Sequence, residues 1–210
     1  MAATFFADEA QKLIVGAVQA VESKSSAEIV VSVRARSDEY REVDLIAGTL
    51  AAIVTLAVLI YHPAELDENL MPAETLAAFA VVSILVNKIS GLKRLLTPGK
   101  KMRARLLTAA RSHFVEAGIS RTRDRSGILV FVSELERSVC VVPDIGIDEA
   151  RLGEPWKAKL VDLERAGHAG DVLAFVSALT ALGPVLGESY PRREDDVNEL
   201  PDAPIMGTKR

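Results

Sequence analysis

The sequence predicts an α/β fold, a small sheet covered by helices, into which a transmembrane helical hairpin is inserted. Two apolar runs, Leu45 to Tyr61 and Leu76 to Val86, flank an acidic connector at 62–69 and predict the hairpin. Amphipathic segments outside these runs predict the covering helices. Runs rich in β-branched residues predict three strands, over 28–35, 127–133 and 137–142.

The first apolar run is long enough to cross most of a membrane. Leu45 to Tyr61 is 17 residues without a charge, which is about 26 Å of helix against a hydrocarbon core of about 30 Å. The second run is free of charge from Thr75 to Asn87 and reaches Leu92 when Lys88 extends its ammonium to the headgroups. Runs of this length also occur as core helices, so a pair of buried helices in a soluble all-α protein is the alternative.

The charges are spread unevenly around the predicted hairpin. The net charge is −4, yet the segment from Lys88 to Arg125 holds eleven Lys or Arg residues against the two acids Glu116 and Asp124. The connector at 62–69 has no Lys or Arg. Because cytoplasmic flanks of membrane helices are enriched in basic residues, we expect a two-helix protein of the cytoplasmic membrane with both termini in the cytoplasm. The single cysteine, Cys140, agrees with a reducing compartment.

The segments outside the hairpin are expected to form one domain. Residues 1–43 and 96–187 are each too short to build a core alone, so we expect them to pack together, with 44–95 as the inserted hairpin. Residues 188–210 are polar and proline-rich, which predicts a mostly extended tail. Helices are predicted over 4–22, 100–117, 156–167 and 171–186, and the last is expected to bury Leu173, Val176, Leu179 and Leu182.

Three carboxylates form a candidate metal site. Asp144 and Asp148 lie in the turn after the third predicted strand, and Glu134 lies in the connector before that strand. Carboxylates grouped with backbone oxygens suit Ca²⁺ or Mg²⁺, which prefer hard oxygen ligands. The alternative is that these are solvated turn carboxylates, with Asp148 or Glu149 capping a helix. No other cofactor and no catalytic residue is predicted, because His113 has no nucleophile or acid at a recognisable spacing.

The basic segment after the hairpin has three interpretations. It fixes the topology of the hairpin, attracts anionic lipid, or binds nucleic acid. Nucleic acid is the least favoured, because no aromatic residues are interleaved with the basic ones and no groove-binding motif is present. The residues expected to contact lipid headgroups are Lys93, Arg94, Lys100, Lys101, Arg103 and Arg105.

A family resemblance is carried by five stretches of the sequence. They are 122–133 (Thr-Arg-Asp-Arg-Ser-Gly-Ile-Leu-Val-Phe-Val-Ser), 136–139 (Glu-Arg-Ser-Val), 144–147 (Asp-Ile-Gly-Ile), Trp156, and 191–201 (Pro-Arg-Arg-Glu-Asp-Asp-Val-Asn-Glu-Leu-Pro). Together they resemble the TPM domain family, in its bacterial branch of predicted membrane proteins. The resemblance implies an α/β sandwich, in which a small sheet lies between helices. It also implies that some relatives have weak acid phosphatase activity or bind divalent cations, while others are accessory subunits of membrane assemblies.

Two features depart from the family pattern. Arg125-Ser126-Gly127 stands where soluble members often have an acidic Asp-Asn-Gly, and the predicted hairpin replaces a loop that helps form their acidic site. We therefore expect a membrane-anchored, noncatalytic interaction or accessory module, whose partners are membrane lipid and either a membrane protein or a second copy of the chain. The alternatives are a weak divalent-cation-dependent phosphatase, and a lipid-binding or oligomeric scaffold in which Ala47, Ala51 and Ala52 permit close helix packing.

Overall fold

The computed structural model describes residues 4–63, 67–193 and 195–207. The chain divides into two compact units. The sheet unit contains Met1–Asp38 and Arg103–Arg210, and the hairpin unit contains Glu39–Met102. Residues 64–66 of the acidic connector lie outside the described residues.

The described residues form helices and short strands. In order they are α1 (Asp8–Glu22), β1 (Glu28–Arg34), α2 (Arg41–Tyr61), α3 (Met71–Lys88), α4 (Ser90–Leu96), α5 (Gly99–Glu116), a 3₁₀ turn (Ile119–Arg121), β2 (Gly127–Ser133), β3 (Ser138–Pro143), α6 (Glu149–Ala169), α7 (Val172–Thr180), α8 (Leu182–Ser189) and β4 (Ile205–Met206). The prediction of an α/β fold is confirmed.

The strands form one mixed sheet in the order β3-β2-β1-β4. β1 and β2 are parallel, with Glu28 opposite Gly127 and Arg34 opposite Ser133. β2 and β3 form an antiparallel β-hairpin. β4 pairs in parallel with β1 through two residues. The two central strands therefore come from chain segments on either side of the hairpin unit.

Helices cover both faces of this sheet. Ile29, Val31 and Val33 of β1 point into a core built with α1, α6, α7 and α8. Val30 points to the other face, where a smaller core contains Leu106 and Ala110 of α5 together with Leu129 and Phe131 of β2. All seven residues of β2 are buried, as its continuous apolar run predicts. β3 lies at the sheet edge and is mostly half-buried.

In the hairpin unit, α2 packs against α3. α2 has 21 residues and α3 has 18, so α2 is about 31 Å long at about 1.5 Å per residue. Gly48 is needed at their closest approach, because an added Cβ would lie 2.1 Å from Ser83 Oγ and 2.8 Å from the Phe79 carbonyl oxygen. A small residue at this point lets the two helices approach closely.

Two predictions of local structure were wrong in detail. α6 starts at Glu149, before Trp156, and bends at Gly153, whose φ is +64°. The last predicted helix is two helices separated at Ala181, and Leu173 is 68% exposed instead of buried. Within the predicted tail, Ile205 and Met206 pair with β1 as β4.

Candidate functional site

The most distinctive surface of the molecule is the apolar exterior of α2 and α3. Among the described residues, three stretches of helix are long and apolar enough to cross a membrane: Arg41–Tyr61, Met71–Lys88 and Val172–Ser189. The third comprises α7 and α8, whose Phe175, Leu179, Leu182 and Leu186 are buried in the sheet unit core. In the first two, only 11% and 6% of the apolar window is buried. Large exposed side chains on them include Leu50, Ile53, Val54, Val58, Leu76, Val81 and Ile84.

The interior of the hairpin unit holds an ion pair. The Lys93 ammonium donates to Asp44 Oδ2 at 3.0 Å, to the Glu39 carbonyl oxygen at 2.8 Å and to Asn87 Oδ1 at 3.2 Å. All three of its donors are therefore used. Only 2% of the Lys93 side chain and 12% of the Asp44 side chain are exposed. Lys93 was predicted to contact lipid headgroups, and its burial in this network corrects that prediction.

Further hydrogen bonds fix the backbone at both residues of this buried ion pair. Asp44 lies in the first turn of α2, and the Ser83 hydroxyl donates to its carbonyl oxygen at 3.2 Å. Lys93 lies in α4, where the Thr97 hydroxyl donates to its carbonyl oxygen at 2.6 Å. An unpaired charge could not be buried in this way, because the desolvation of an ion must be offset by a partner and by hydrogen bonds.

The other predicted headgroup residues divide into paired and unpaired groups. Lys101 pairs with Glu42 at 2.7 Å in the hairpin unit. Arg105 pairs with Asp38 at 3.1 Å, and Arg103 approaches Glu164 at 3.7 Å, both within the sheet unit. Arg94 is half-buried and Lys100 is exposed, and neither forms an ion pair with a described residue. Headgroup contact for these five residues stays a prediction.

Asp144 binds a guanidinium. Arg125 donates to it through Nε at 2.7 Å and through Nη2 at 2.9 Å, and the Ile145 amide donates to Asp144 Oδ1 at 2.8 Å. Only 3% of the Asp144 side chain is exposed. The Arg125 hydrogen bonds hold the pKa of Asp144 below its usual value, although burial opposes them. A carboxylate held in this two-point pair already has a cation.

The other two predicted metal ligands lie elsewhere. Asp148 caps α6, accepting from the Ala150 amide at 2.9 Å. Glu134 lies in the β2–β3 turn, and its amide donates to the Arg34 carbonyl oxygen at 3.0 Å. Since β3 separates Glu134 from Asp144 by six residues, or about 20 Å, those two cannot ligate one ion at about 2.5 Å. Within the described ranges, no group of three or more His, Cys, Asp or Glu side chains could hold a metal.

An acidic cavity was missed by sequence reasoning. It has a volume of about 130 Å³ and lies where α1, β1 and the C-terminal segment meet. Its lining residues are Gln19, Glu22, Glu28, Arg192, Asp196, Asn198 and Asp202. Burial, with help from Glu28 and Asp202, raises the pKa of Glu22 to about 8. The only signal in the sequence was the unusual position of Glu22 on the apolar face of α1.

His113 and Cys140 could take part in chemistry by residue type, but both have structural roles. The Arg34 Nη2 group lies 3.0 Å from His113 Nδ1, and the imidazole stacks on Phe131 with ring centroids 5.5 Å apart. Burial and then Arg34 lower the pKa of His113, which favours a neutral ring that accepts from the guanidinium. Burial raises the pKa of the Cys140 thiol, which makes it a poor nucleophile at neutral pH.

Comparison with known proteins identifies a shared fold. No protein-family model and no curated protein sequence matches the chain. The chain is similar to the NMR structure of the BA42 protein from the psychrophilic bacterium Bizionia argentinensis, with a TM-score of 0.58 and 17% sequence identity. The match covers 97% of this chain and 96% of that chain. At this identity the likeness shows that the two chains share a fold and carries nothing about function.

Proposed function

We propose that this protein is a TPM-like module anchored in the cytoplasmic membrane by α2 and α3, and that it serves as a noncatalytic accessory or interaction subunit of a membrane assembly. The observation that carries the proposal is the apolar exterior of the hairpin unit, where Val54 is 61% and Leu76 is 67% exposed. Patches of this kind on soluble proteins are small, and larger ones mark a membrane or protein contact.

The dimensions and charges of the hairpin unit support a membrane environment. α2 is about as long as the hydrocarbon core is thick. Two polar side chains within the apolar segments bond to the backbone of the hairpin unit: the Ser83 hydroxyl donates to the Asp44 carbonyl oxygen and the Thr49 hydroxyl donates to the Leu45 carbonyl oxygen. Lys100 and Arg94 lie on the side of the hairpin where the basic residues concentrate. The proposed orientation therefore has both ends of the hairpin on the cytoplasmic side.

The noncatalytic part of the proposal rests on Asp144. This carboxylate is the most buried of the three predicted metal ligands, and the Arg125 guanidinium already occupies both of its oxygens. A divalent ion would have to displace that guanidinium. The proposal is therefore that Arg125 fills the structural place of a cation, and that the β3–α6 turn keeps its shape without metal.

The membrane and accessory parts are tested together. We expect the full-length protein to stay in the pellet after alkaline carbonate extraction, and crosslinking in intact cells to link it to a defined membrane protein that co-purifies in detergent. A variant with Arg in place of Leu50, Val54 and Val58 serves as the control for nonspecific capture. Recovery of the wild-type protein in the carbonate supernatant would contradict anchoring, and recovery of the same crosslinked partner with the control variant would contradict a specific interaction.

The phosphatase alternative has its own test. A metal that binds the folded state selectively must stabilise it. We expect millimolar Ca²⁺ or Mg²⁺ to leave the melting temperature unchanged and the purified protein to hydrolyse no phosphomonoester. Hydrolysis that depends on divalent ions and is abolished by Asp144→Asn would replace the accessory function with phosphatase activity.

The scaffold alternative depends on the small residues of α2. Ala47, Ala51 and Ala52 are half-buried, and Gly48 between them packs on α3. This face is therefore used inside the hairpin unit. We expect Ala51→Leu to disturb the α2–α3 packing without changing the oligomer size in detergent, whereas a loss of oligomers would favour the scaffold.

A further inference from the structure

The C-terminal segment 195–207, which we name the strap, is attached to β1 by few backbone contacts. β4 pairs only with Ser32 and Val33, and the Gly207 amide donates to the Val33 carbonyl oxygen at 2.8 Å. β1 has seven residues. Among the described residues, no strand pairs with the first half of β1 on this side.

Carboxylates complete the attachment along that first half. Glu22 Oε1 accepts from the Ile29 amide at 3.0 Å, on the edge of β1 that faces the strap. Glu28 Oε2 accepts from the Leu200 amide of the strap at 3.3 Å. Asp202 of the strap accepts from the Gln19 side chain of α1 at 2.8 Å. Hydrogen bonds to Glu28 and Asp202 therefore attach the strap where backbone pairing with β1 is missing, beside the apolar contacts of Leu200 and Ile205. The Glu22 bond instead occupies the β1 edge that the strap leaves unpaired.

These acids face one another across the cavity of about 130 Å³. Glu22 is faced by Glu28 of β1, by Asp202 of the strap and by the cation Arg192. Glu28 is faced in turn by Asp196 and Glu199 of the strap, and it lines a second cavity with Asp124 and the cations Arg123 and Arg193. If all were ionised, like charges would meet in a partly dehydrated space, which is unfavourable for the closed arrangement.

The surroundings of Glu22 and Glu28 raise the pKa of both carboxyl groups. The pKa of Glu22 is raised to about 8, first by burial and then by Glu28 and Asp202. The pKa of Glu28 is also raised, mainly by burial. The pKa values of both acids would return toward those of an ordinary carboxyl group if water entered the cavity.

We propose that the strap is a proton-controlled latch, which stays closed on β1 while Glu22 and Glu28 are protonated and opens when they ionise. Opening releases protons, so the ratio of open to closed strap rises with pH by up to about tenfold per pH unit for each group. For Glu22 the rise ends near its closed-state pKa of about 8. The open form exposes the edge of β1 now covered by β4. This device does not depend on membrane anchoring.

Pulsed electron paramagnetic resonance on the full chain in lipid nanodiscs tests the latch. Spin labels are attached at Lys12→Cys on α1 and Ala203→Cys on the strap, both exposed positions, in a Cys140→Ala background. We expect one narrow distance at pH 5.5. A broader, longer component should grow with rising pH and level off above pH 8.5.

Matched variants test whether ionisation of the cavity acids causes the strap to open. Glu22→Gln keeps an oxygen for the Ile29 amide but cannot ionise, and we expect it to reduce the long component at pH 8.5 several-fold. Asp202→Asn removes a facing charge from the strap itself and should act in the same direction even if Glu22→Gln folds poorly. Glu188→Gln, exposed and outside the cavity, should behave as the parent. Distances that do not change with pH, or an unchanged response in both Glu22→Gln and Asp202→Asn, would overturn the proposal.

Discussion

The sheet unit and the hairpin unit use opposite arrangements of polarity. In the sheet unit the large apolar residues, such as Ile14, Phe131 and Trp156, are fully buried. In the hairpin unit Val54 and Leu76 are mostly exposed, while the lysine at 93 is 1% exposed. Hydrophobic burial from water explains the first arrangement, whereas the second is the arrangement that the proposed membrane anchoring requires. The difference supports the proposal that the hairpin unit lies in lipid and the sheet unit in water.

The largest expected effect comes from the interior of the hairpin unit. Lys93→Met leaves Asp44 without its partner, and breaking a buried pair in this way destabilises by about 3–5 kcal/mol. The double variant Asp44→Leu with Lys93→Met should recover most of the loss, because no charge remains buried. Unfolding by SDS titration in mixed micelles measures these differences, and exposed Lys100→Met is the control. Equal effects of Lys93→Met and Lys100→Met would contradict the buried pair.

The next largest effect is expected from a comparison of exposed apolar side chains on the hairpin unit and on the sheet unit. Val54→Arg places a charge at the middle of α2, which disfavours membrane insertion by about 3 kcal/mol. Leu173→Arg changes a side chain of similar exposure, 68% against 61%, on the sheet unit, and surface substitutions change stability by about 0.5 kcal/mol or less. A glycosylation-based insertion assay compares them. If Val54→Arg is tolerated as well as Leu173→Arg, the two exteriors do not differ in solvent.

A smaller effect with a defined pH dependence concerns Asp144. Its lowered pKa means that the pair with Arg125 stabilises the fold above the ordinary carboxyl pKa of 3.8, and that this contribution is lost as pH falls through the lowered value. Arg125→Gln should therefore lower the melting temperature by a few degrees at pH 7 and much less at pH 3. Arg123→Gln, whose partner Asp195 is exposed, is the control. An Arg125→Gln loss that is equal at both pH values would rule out this charge effect.

The smallest effect is expected at the basic residues beside the hairpin. Arg94→Gln and Lys100→Gln should each reduce the preference for anionic lipid by about 1 kcal/mol, or about fivefold. Spin-labelled phosphatidylglycerol around the reconstituted protein reports this preference. Arg111→Gln, further along α5, should have no effect. If the variant that carries both substitutions keeps the full preference for anionic lipid, Arg94 and Lys100 do not contact lipid headgroups.

Sequence alone predicted the elements whose pattern is local. The bounds of β2 follow from one continuous apolar run, and the end of α5 follows from Gly118, whose φ is +67°. It missed β4, because a two-residue strand depends on a partner 173 positions earlier in the chain, as Ser32 and Ile205 show. It placed Lys93 at the lipid surface, because a count of basic residues cannot tell which one faces an acid. The Arg125 pair was missed for the same reason.

The central claim is that α2 and α3 cross the membrane. The most direct test is to determine on which side of the membrane the connector and α5 lie. In a Cys140→Ala background, Glu68→Cys lies in the connector between α2 and α3, and Arg103→Cys lies on α5. With intact cells and a membrane-impermeant thiol reagent, we predict labelling of Glu68→Cys at once and of Arg103→Cys only after the membrane is opened. Labelling of both positions only after lysis, with the protein in the soluble fraction, would contradict the account.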